Sequence, residues 1–329
     1  MIRFAILGAG KIAAVMADTI NAMVDSGNQE IELYAVASRD LTKAKEFADK
    51  NRVSVAYGSY EELYADSKVD LVYIATPHNF HYEQAKSCIE NGKHVLCEKA
   101  FTVNAKDAEK LFELAKKHKV LITEAIWTRY QPMRQIINET VNSGLVGTPM
   151  FITANLSYPM MKKQRLLDPN LAGGALLDVG IYTLNFAEMI FGHADTVEGT
   201  CIKNALGVDI SDSITLTWKD TGRMAVLATS ATASSDRYGM IHCTEGYAQV
   251  ENINNPQWIK LFDKQFKLIK EVSCPKQFTG YEYEVSETCD CIRKGLLECP
   301  SMPHQETIHM LQVMDTLRAQ FGIKYPFEK

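Results

Sequence analysis

The sequence predicts two parts, an α/β doubly wound parallel sheet of Rossmann type followed by an open, mainly antiparallel sheet with helices on one face. Three observations carry that prediction. Strand-like apolar runs alternate with helix-period segments through the first third of the chain. Runs such as Leu71-Val72-Tyr73-Ile74-Ala75 are apolar at every residue, which signals burial on both faces and hence a parallel sheet covered by helices. After about Glu124 the pattern changes to short segments rich in Val, Ile, Thr and Tyr, punctuated by turn signals. A chain of 329 residues is also long enough for two cores at roughly 150 residues per domain.

Taken in order, strands are expected at 2–7, 31–37, 69–75, 93–96 and 120–123, and helices at 12–24, 42–51, 80–91 and 105–118. A helix over 132–143 ends near Gly144. The antiparallel region turns at Lys219-Asp220-Thr221-Gly222, Glu245-Gly246 and Asn254-Asn255-Pro256, and helices over 175–191 and 282–294 are expected to pack on its sheet. The last helix, 306–321, carries Ile308, Leu311, Met314, Leu317 and Phe321 at the spacing of a single buried stripe.

Composition narrows the function. Hydrophobic residues at 46% and charged residues at 23% are ordinary globular values, and a net charge of -5 without a long basic run argues against nucleic-acid or anionic-membrane partners. The most apolar stretch, 175–191, is interrupted by Asp178, Asn185 and Glu188, so a buried helix is expected there rather than a membrane span. The opening apolar run stops at Lys11, as a first strand would and a signal peptide would not, and the expected location is cytoplasmic. The eight cysteines form no C-x-x-C pair, as expected of reduced thiols. Cys289 and Cys291, two apart on a helix, point about 200° from one another and cannot share a metal.

Gly8-Ala9-Gly10-Lys11-Ile12-Ala13 fits G-x-G-x-x-[GA] between a strand and a helix, the context that gives this motif meaning. Gly8 permits the tight turn, Gly10 lets backbone approach a pyrophosphate, and small Ala13 lets helix and strand pack. The amides of Lys11 and Ile12 then lie at the positive helix end. A site for NAD usually has an acid at the end of the second strand, whereas this chain reads Ala37-Ser38-Arg39-Asp40. Ser38 can donate to a 2′-phosphate and Arg39 can pair with it and stack on adenine, so NADP is expected; the other arrangement, Asp40 holding the ribose of NAD, stays open.

Thr76-Pro77-His78-Asn79-Phe80-His81 and Gly92-Lys93-His94-Val95-Leu96-Cys97-Glu98-Lys99 follow or contain carboxyl ends of expected parallel strands, where doubly wound sheets bind ligands. His78 and His81 are three apart, yet no third ligand is placed beside them, and no metal is expected.

These motifs, with Gly173-Gly174-Ala175-Leu176-Leu177-Asp178-Val179-Gly180-Ile181-Tyr182 and the ending Asp315-x-x-Arg318, make nearly the whole chain resemble the Gfo/Idh/MocA family of NAD(P)-dependent oxidoreductases. Glu124-Ala125-Ile126-Trp127-Thr128-Arg129, and Tyr rather than His at 182, resemble the dimeric dihydrodiol dehydrogenase and glucose-fructose oxidoreductase branch. The resemblance implies catalytic roles for Lys99, Asp178 and Tyr182. It also implies cofactor contacts at Thr76, Pro77, His78, Asn79, His81, Glu98, Lys99, Trp127 and Arg129. Trp127, Tyr158 and Tyr281 are candidates for the substrate wall, Gly280-Tyr281-x-Tyr283-Glu284 resembling a family element near the substrate. The implied domains are 1–124 for the dinucleotide, with a terminal helix at about 303–329 packing back on it, and 125–302 for substrate binding and dimerisation.

Elementary chemistry agrees with those roles. Hydride transfer at a carbinol needs a group to take or give the hydroxyl proton, and a free tyrosine at a pKa of about 10 is a poor base near neutrality. A lysine ammonium favours the phenolate, and an aspartate orients the lysine or a substrate hydroxyl. The family usually has Pro where Ala100 stands, and its loss is expected to loosen Lys99. The expected function is oxidoreduction of a secondary alcohol or carbonyl in a sugar, inositol or cyclic diol by a homodimer; a non-catalytic dinucleotide sensor is the alternative.

Overall fold

A computed structural model describes residues 1–328 and divides the chain into two compact units, Met1–Tyr130 with Gln277–His309, and Gln131–Lys276 with Met310–Lys329. In the first unit, β1 (Ile2–Leu7), α1 (Lys11–Asp25), β2 (Ile31–Ala37), α2 (Leu41–Asn51), β3 (Val55–Tyr57), α3 (Tyr60–Ala65), β4 (Leu71–Ile74), α4 (His81–Glu90), β5 (His94–Glu98), α5 (Ala105–His118) and β6 (Ile122–Ala125) follow one another. All strand pairs are parallel, in the order β3-β2-β1-β4-β5-β6. The strand order reverses between β1 and β4, so the loops after these strands flank a topological switch point. The short β3 and α3 have too few residues to show a period and were not expected.

The second unit contains α6 (Pro132–Val141), β7 (Pro149–Ser157), α7 (Gln164–Leu167), a π-helical turn (Leu176–Gly180), α8 (Ile181–Phe191), and strands β8 (Thr196–Lys203), β9 (Asp209–Trp218), β10 (Arg223–Ser230), β11 (Gly239–Cys243), β12 (Gly246–Val250), β13 (Trp258–Asp263) and β14 (Leu268–Ser273). Their order is β14-β13-β12-β11-β7-β10-β9-β8, antiparallel except at β7 and β10. One cross-strand row, Leu216, Ala225, Ile152, Ile241, Ala248 and Leu261, is wholly buried. The helix α8 lies against β7 and β10. By length and composition the stretch Pro169–Phe191 is apolar enough to cross a bilayer, but 89% of its most apolar window is buried in the protein, as in a core helix.

Two remaining helices differ from expectation. The helix α9 (Glu282–Arg293) belongs to the nucleotide unit: Val285 and Cys289 share a core with Met16, Ala17 and Ile20 of α1, and Thr279 Oγ1 lies 2.7 Å from Thr19 Oγ1. Only the start of α10 (His304–Phe321) belongs to that unit; from Met310 onward the chain joins the second. There Gly199 leaves room for Leu317 and Phe321, and the Gln320 side chain accepts from Gly199 N and donates to Val197 O, both at 2.8 Å. The stripe read from the sequence thus covers the edge strand β8, whose backbone would otherwise lack partners on that side.

Helix and sheet approach closely at Gly239, where an added Cβ would overlap the Phe186 ring of α8. Gly239→Ala is expected to lower stability by about 1–3 kcal/mol through overpacking, measured by denaturant unfolding.

Candidate active site

The turn after β1 is shaped by contact. Gly8 has φ of 109°, and a Cβ there would sit 2.9 Å from the Ala75 carbonyl oxygen at the end of β4. Gly10 caps α1 without any side-chain hydrogen bond, no acid occupies the first helical turn, and an added Cβ at Gly10 meets nothing within 4 Å. Free helix-end amides beside open space fit a pyrophosphate. Residues 8–12 therefore suit a dinucleotide, with Ala13 fully buried as the packing residue.

At the end of β2, Asp40 is already engaged. Its Oδ1 accepts from Thr42 N at 2.9 Å and Lys43 N at 3.3 Å, capping α2. Arg39 is exposed, its guanidinium 5.8 Å from the centre of the Phe80 ring, while Ser38 is half-buried beside it. The cap uses one Asp40 carboxyl oxygen, and Ser38 and Arg39 stand beside it as further polar groups at the end of β2.

Beyond β4 the predicted residues separate by role. Thr76 Oγ1 donates to Gln84 Oε1 at 2.5 Å, Asn79 has a buried Oδ1 without a partner among the described residues, and His78 is buried with its ring edge-on to His81. His81 is wholly buried, its ring nitrogens 2.9 Å from the Ala100 carbonyl oxygen and 2.8 Å from that of Thr76; burial pushes its pKa below the ordinary value. It joins the loop after β4 to the segment after β5. The Lys99–Ala100 peptide is cis, and Phe101 N donates to Glu124 Oε1 at 3.1 Å. Hydrogen bonds to the Ala100 carbonyl and the Phe101 amide hold the backbone beside Lys99, so the expected loosening by Ala100 is offset.

Glu98 accepts the Tyr73 hydroxyl hydrogen bond and the Lys99 amide, the latter at 3.2 Å. Around it stand two acids that motif reading passed over. Burial pushes Glu124 up to about 7, and Glu284 of α9 is wholly buried with neither carboxyl oxygen hydrogen-bonded among the described residues. Burial and, after it, the Glu98 charge hold Glu284 well above the usual carboxylate range. The spacing of Glu284 within 280–284 was the available signal, but only the fold shows the carboxyl to be buried. Arg129, expected to touch the cofactor, is buried and forms an ion pair with Glu306 at 2.8 Å. Trp127 and Tyr281 do come together, stacked with centroids 4.1 Å apart and planes at 14°.

In the second unit, Asp178 lies on the π-helical turn and Tyr182 in the first turn of α8, both less than a tenth exposed. The expected continuous α-helix is therefore widened at Asp178, a distortion common at functional sites. Asp178 accepts three contacts of 3.1 Å from Arg165 of α7, a partner with no sequence signal because the pairing spans a loop. Tyr158, also on this unit, has its hydroxyl 3.5 Å from Asn254 Oδ1 and the Arg237 guanidinium over its ring.

Residues 2–126 match the model of the oxidoreductase family with an NAD-binding Rossmann fold, and residues 134–249 match the Gfo/Idh/MocA carboxy-terminal domain. The chain belongs to the Gfo/Idh/MocA family and is an oxidoreductase whose first unit is an NAD-binding Rossmann domain. It is similar to the trans-1,2-dihydrobenzene-1,2-diol dehydrogenase of Xenopus tropicalis, 33% identical over 98% of this chain and 99% of that one. The enzyme of the same name from Homo sapiens is 30% identical over 100% and 99%. Among solved structures, KijD10, a 3-ketoreductase from Actinomadura kijaniata in complex with NADP and TDP-benzene, superposes with a TM-score of 0.86 at 20% identity, covering 97% of this chain and 98% of that one, a likeness of fold.

Proposed function

We propose that this protein transfers hydride between NADP(H) and a CH–OH or carbonyl carbon of a cyclic trans-diol, with sugars and inositols as the neighbouring substrate class. The observation carrying this reading is full-length similarity to dihydrodiol dehydrogenases in a chain that keeps Lys99, Asp178 and Tyr182. The nicotinamide, when bound, supplies or receives the hydride. Backbone amides at Gly10, Lys11 and Ile12 receive the pyrophosphate, and Ser38 and Arg39 the 2′-phosphate. Tyr182 gives or takes the hydroxyl proton at its phenolic oxygen. Lys99 supplies the positive charge that favours the phenolate and a hydrogen bond to the reacting oxygen. Asp178, held by Arg165, orients the polar groups around that proton, while Trp127 and Tyr281 offer an apolar wall suited to a ring.

Arg39→Asp is expected to reverse preference toward NAD, since it removes a phosphate partner and adds repulsion. A charged hydrogen bond of about 1.5 to 3 kcal/mol corresponds to one to two decades in affinity, read by fluorescence titration. Equal affinity of the unaltered protein for both cofactors would remove the NADP assignment.

Absorbance of reduced cofactor, with trans-1,2-dihydrobenzene-1,2-diol and a panel of aldoses, tests the reaction. Tyr182→Phe should keep NADP binding and lose roughly two to four decades of turnover, with Lys99→Met costing at least as much. Full turnover in Tyr182→Phe would move the proton to another group.

The open face of the large sheet supports a homodimer. Phe262, Tyr247, His242, Phe151 and Met224 form one cross-strand row on the face opposite the buried row, with Tyr247 and Phe262 stacked at 4.8 Å and Met224 40% exposed. Such an apolar row on a sheet face is suited to pairing with its own copy. Light scattering at micromolar concentration should give about twice the chain mass of 36.9 kDa, and Tyr247→Lys should bring it toward one chain.

A further inference from the structure

Asp209 and Asp212 lie three residues apart on β9, a spacing that sends side chains to opposite faces of a regular strand. Here the pairing with β8 slips: Ser211 faces Ile202, Asp209 faces Lys203, and Ile210 is the extra residue of a bulge. The bulge turns both carboxyl groups to the same buried side, 1% and 4% exposed. Asp209 Oδ2 accepts the Leu176 amide at 2.6 Å, and a Cβ at Gly174 would overlap Asp209 Oδ1. Asp212 Oδ2 accepts the Thr229 hydroxyl at 2.8 Å, while its Oδ1 is buried with no donor among the described residues. The neighbouring polar group is the Asp209 carboxyl, which can satisfy that oxygen only if one of the two acids carries a proton.

We propose that Asp209 and Asp212 share one proton and, as a hydrogen-bonded pair, hold the Gly174–Leu176 entry to the turn that carries Asp178 and Tyr182, which makes them positioning residues for proton transfer. The Asp315-x-x-Arg318 motif supports the same entry through Tyr325. Arg318 pairs with Asp315 and Glu328 at 2.8 Å, Glu328 accepts from Tyr325 N at 2.9 Å, and the Tyr325 hydroxyl donates to Gly173 O at 2.7 Å. The groups facing the acids are Leu176 on the turn, Thr229 on β10, Cys201 on β8 and Tyr325 on the terminal segment, with Lys203 beside Cys201 and Arg318 beside Tyr325. Burial raises both acids, Asp212 to about 8 with the Asp209 charge as its second cause. The stability the pair contributes is therefore present at low pH and declines as pH rises from the unfolded value near 4 through about 8, when the second charge appears.

The role for catalysis rests on the reading of Tyr182, but the pinning can be measured without turnover. Hydrogen exchange of the full-length protein, corrected for intrinsic rates, should show protection across residues 175–182 falling roughly 10- to 100-fold as pH rises from near 4 through about 8, the loss expected for a charged hydrogen bond. Residues 11–25 serve as the internal reference. Asp212→Asn, whose amide donates at every pH, should remove that pH dependence, and Asp209→Ala should lose the protection throughout. A flat profile in the unaltered protein, an unchanged profile in Asp212→Asn, or full protection in a folded Asp209→Ala would each overturn the pair; if Asp209→Ala does not fold, the first two comparisons decide. With NADP and trans-1,2-dihydrobenzene-1,2-diol, Asp212→Asn should also shift the alkaline limb of kcat while leaving the KM for NADP in place. An altered exchange profile with an unaltered limb would reject the catalytic role, whereas activity retained by Tyr182→Phe would reject the assignment of Tyr182 and leave the pair standing.

Discussion

Gly8 and the Ala75 carbonyl approach so closely that no side chain fits between them, a Cβ falling 2.9 Å from the oxygen. This contact lets the ends of β1 and β4 stand side by side at the reversal of strand order, and the helix N-terminus and the loop after β4 both start from it. Burial of Ile6, Leu7, Val72, Tyr73 and Ile74 supplies the apolar stabilisation that keeps the two strands adjacent. The polar ligand-binding groups are thus displayed from a frame whose own hydrogen bonds are already made.

The segments around that frame show how one residue's structural duty decides its neighbour's chemistry. Asp40 caps α2 with one carboxyl oxygen, beside Ser38 and Arg39 at the end of β2. The His81 ring lies between two carbonyl oxygens, and Arg129 pairs with Glu306. The buried His81 ring and Arg129 guanidinium are engaged within the protein because leaving a buried polar group unpaired costs more than the bond itself contributes.

Four buried carboxyl groups share one kind of perturbation. Glu124, Glu284, Asp209 and Asp212 are all raised, mainly by burial. A protonated acid is a donor as well as an acceptor, so each can exchange one hydrogen-bond pattern for another over a range of pH. Such groups make poor stabilising charges and suitable clasps, and the clasp at Leu176 lies at the start of the turn that carries Asp178.

Local pattern determined much of this molecule. The apolar runs and the Gly-x-Gly turn were legible because both-sided burial and a helix start depend on neighbours in sequence, and the same holds for three of the five hairpin turns of the second sheet. The motif around Asp178 and Tyr182 was legible as chemistry, but its backbone was not: a π-helical turn replaces the expected α-helix. Tertiary structure alone assigned α9 to the nucleotide unit and the end of α10 to the edge of β8, because an apolar stripe says that a face is buried and not what buries it. Arg165, Glu124 and the bulge that turns Asp209 beside Asp212 were invisible for the same reason. Each depends on partners far along the chain or on a slip in strand register, and neither distance nor register is written in the local alternation of side chains.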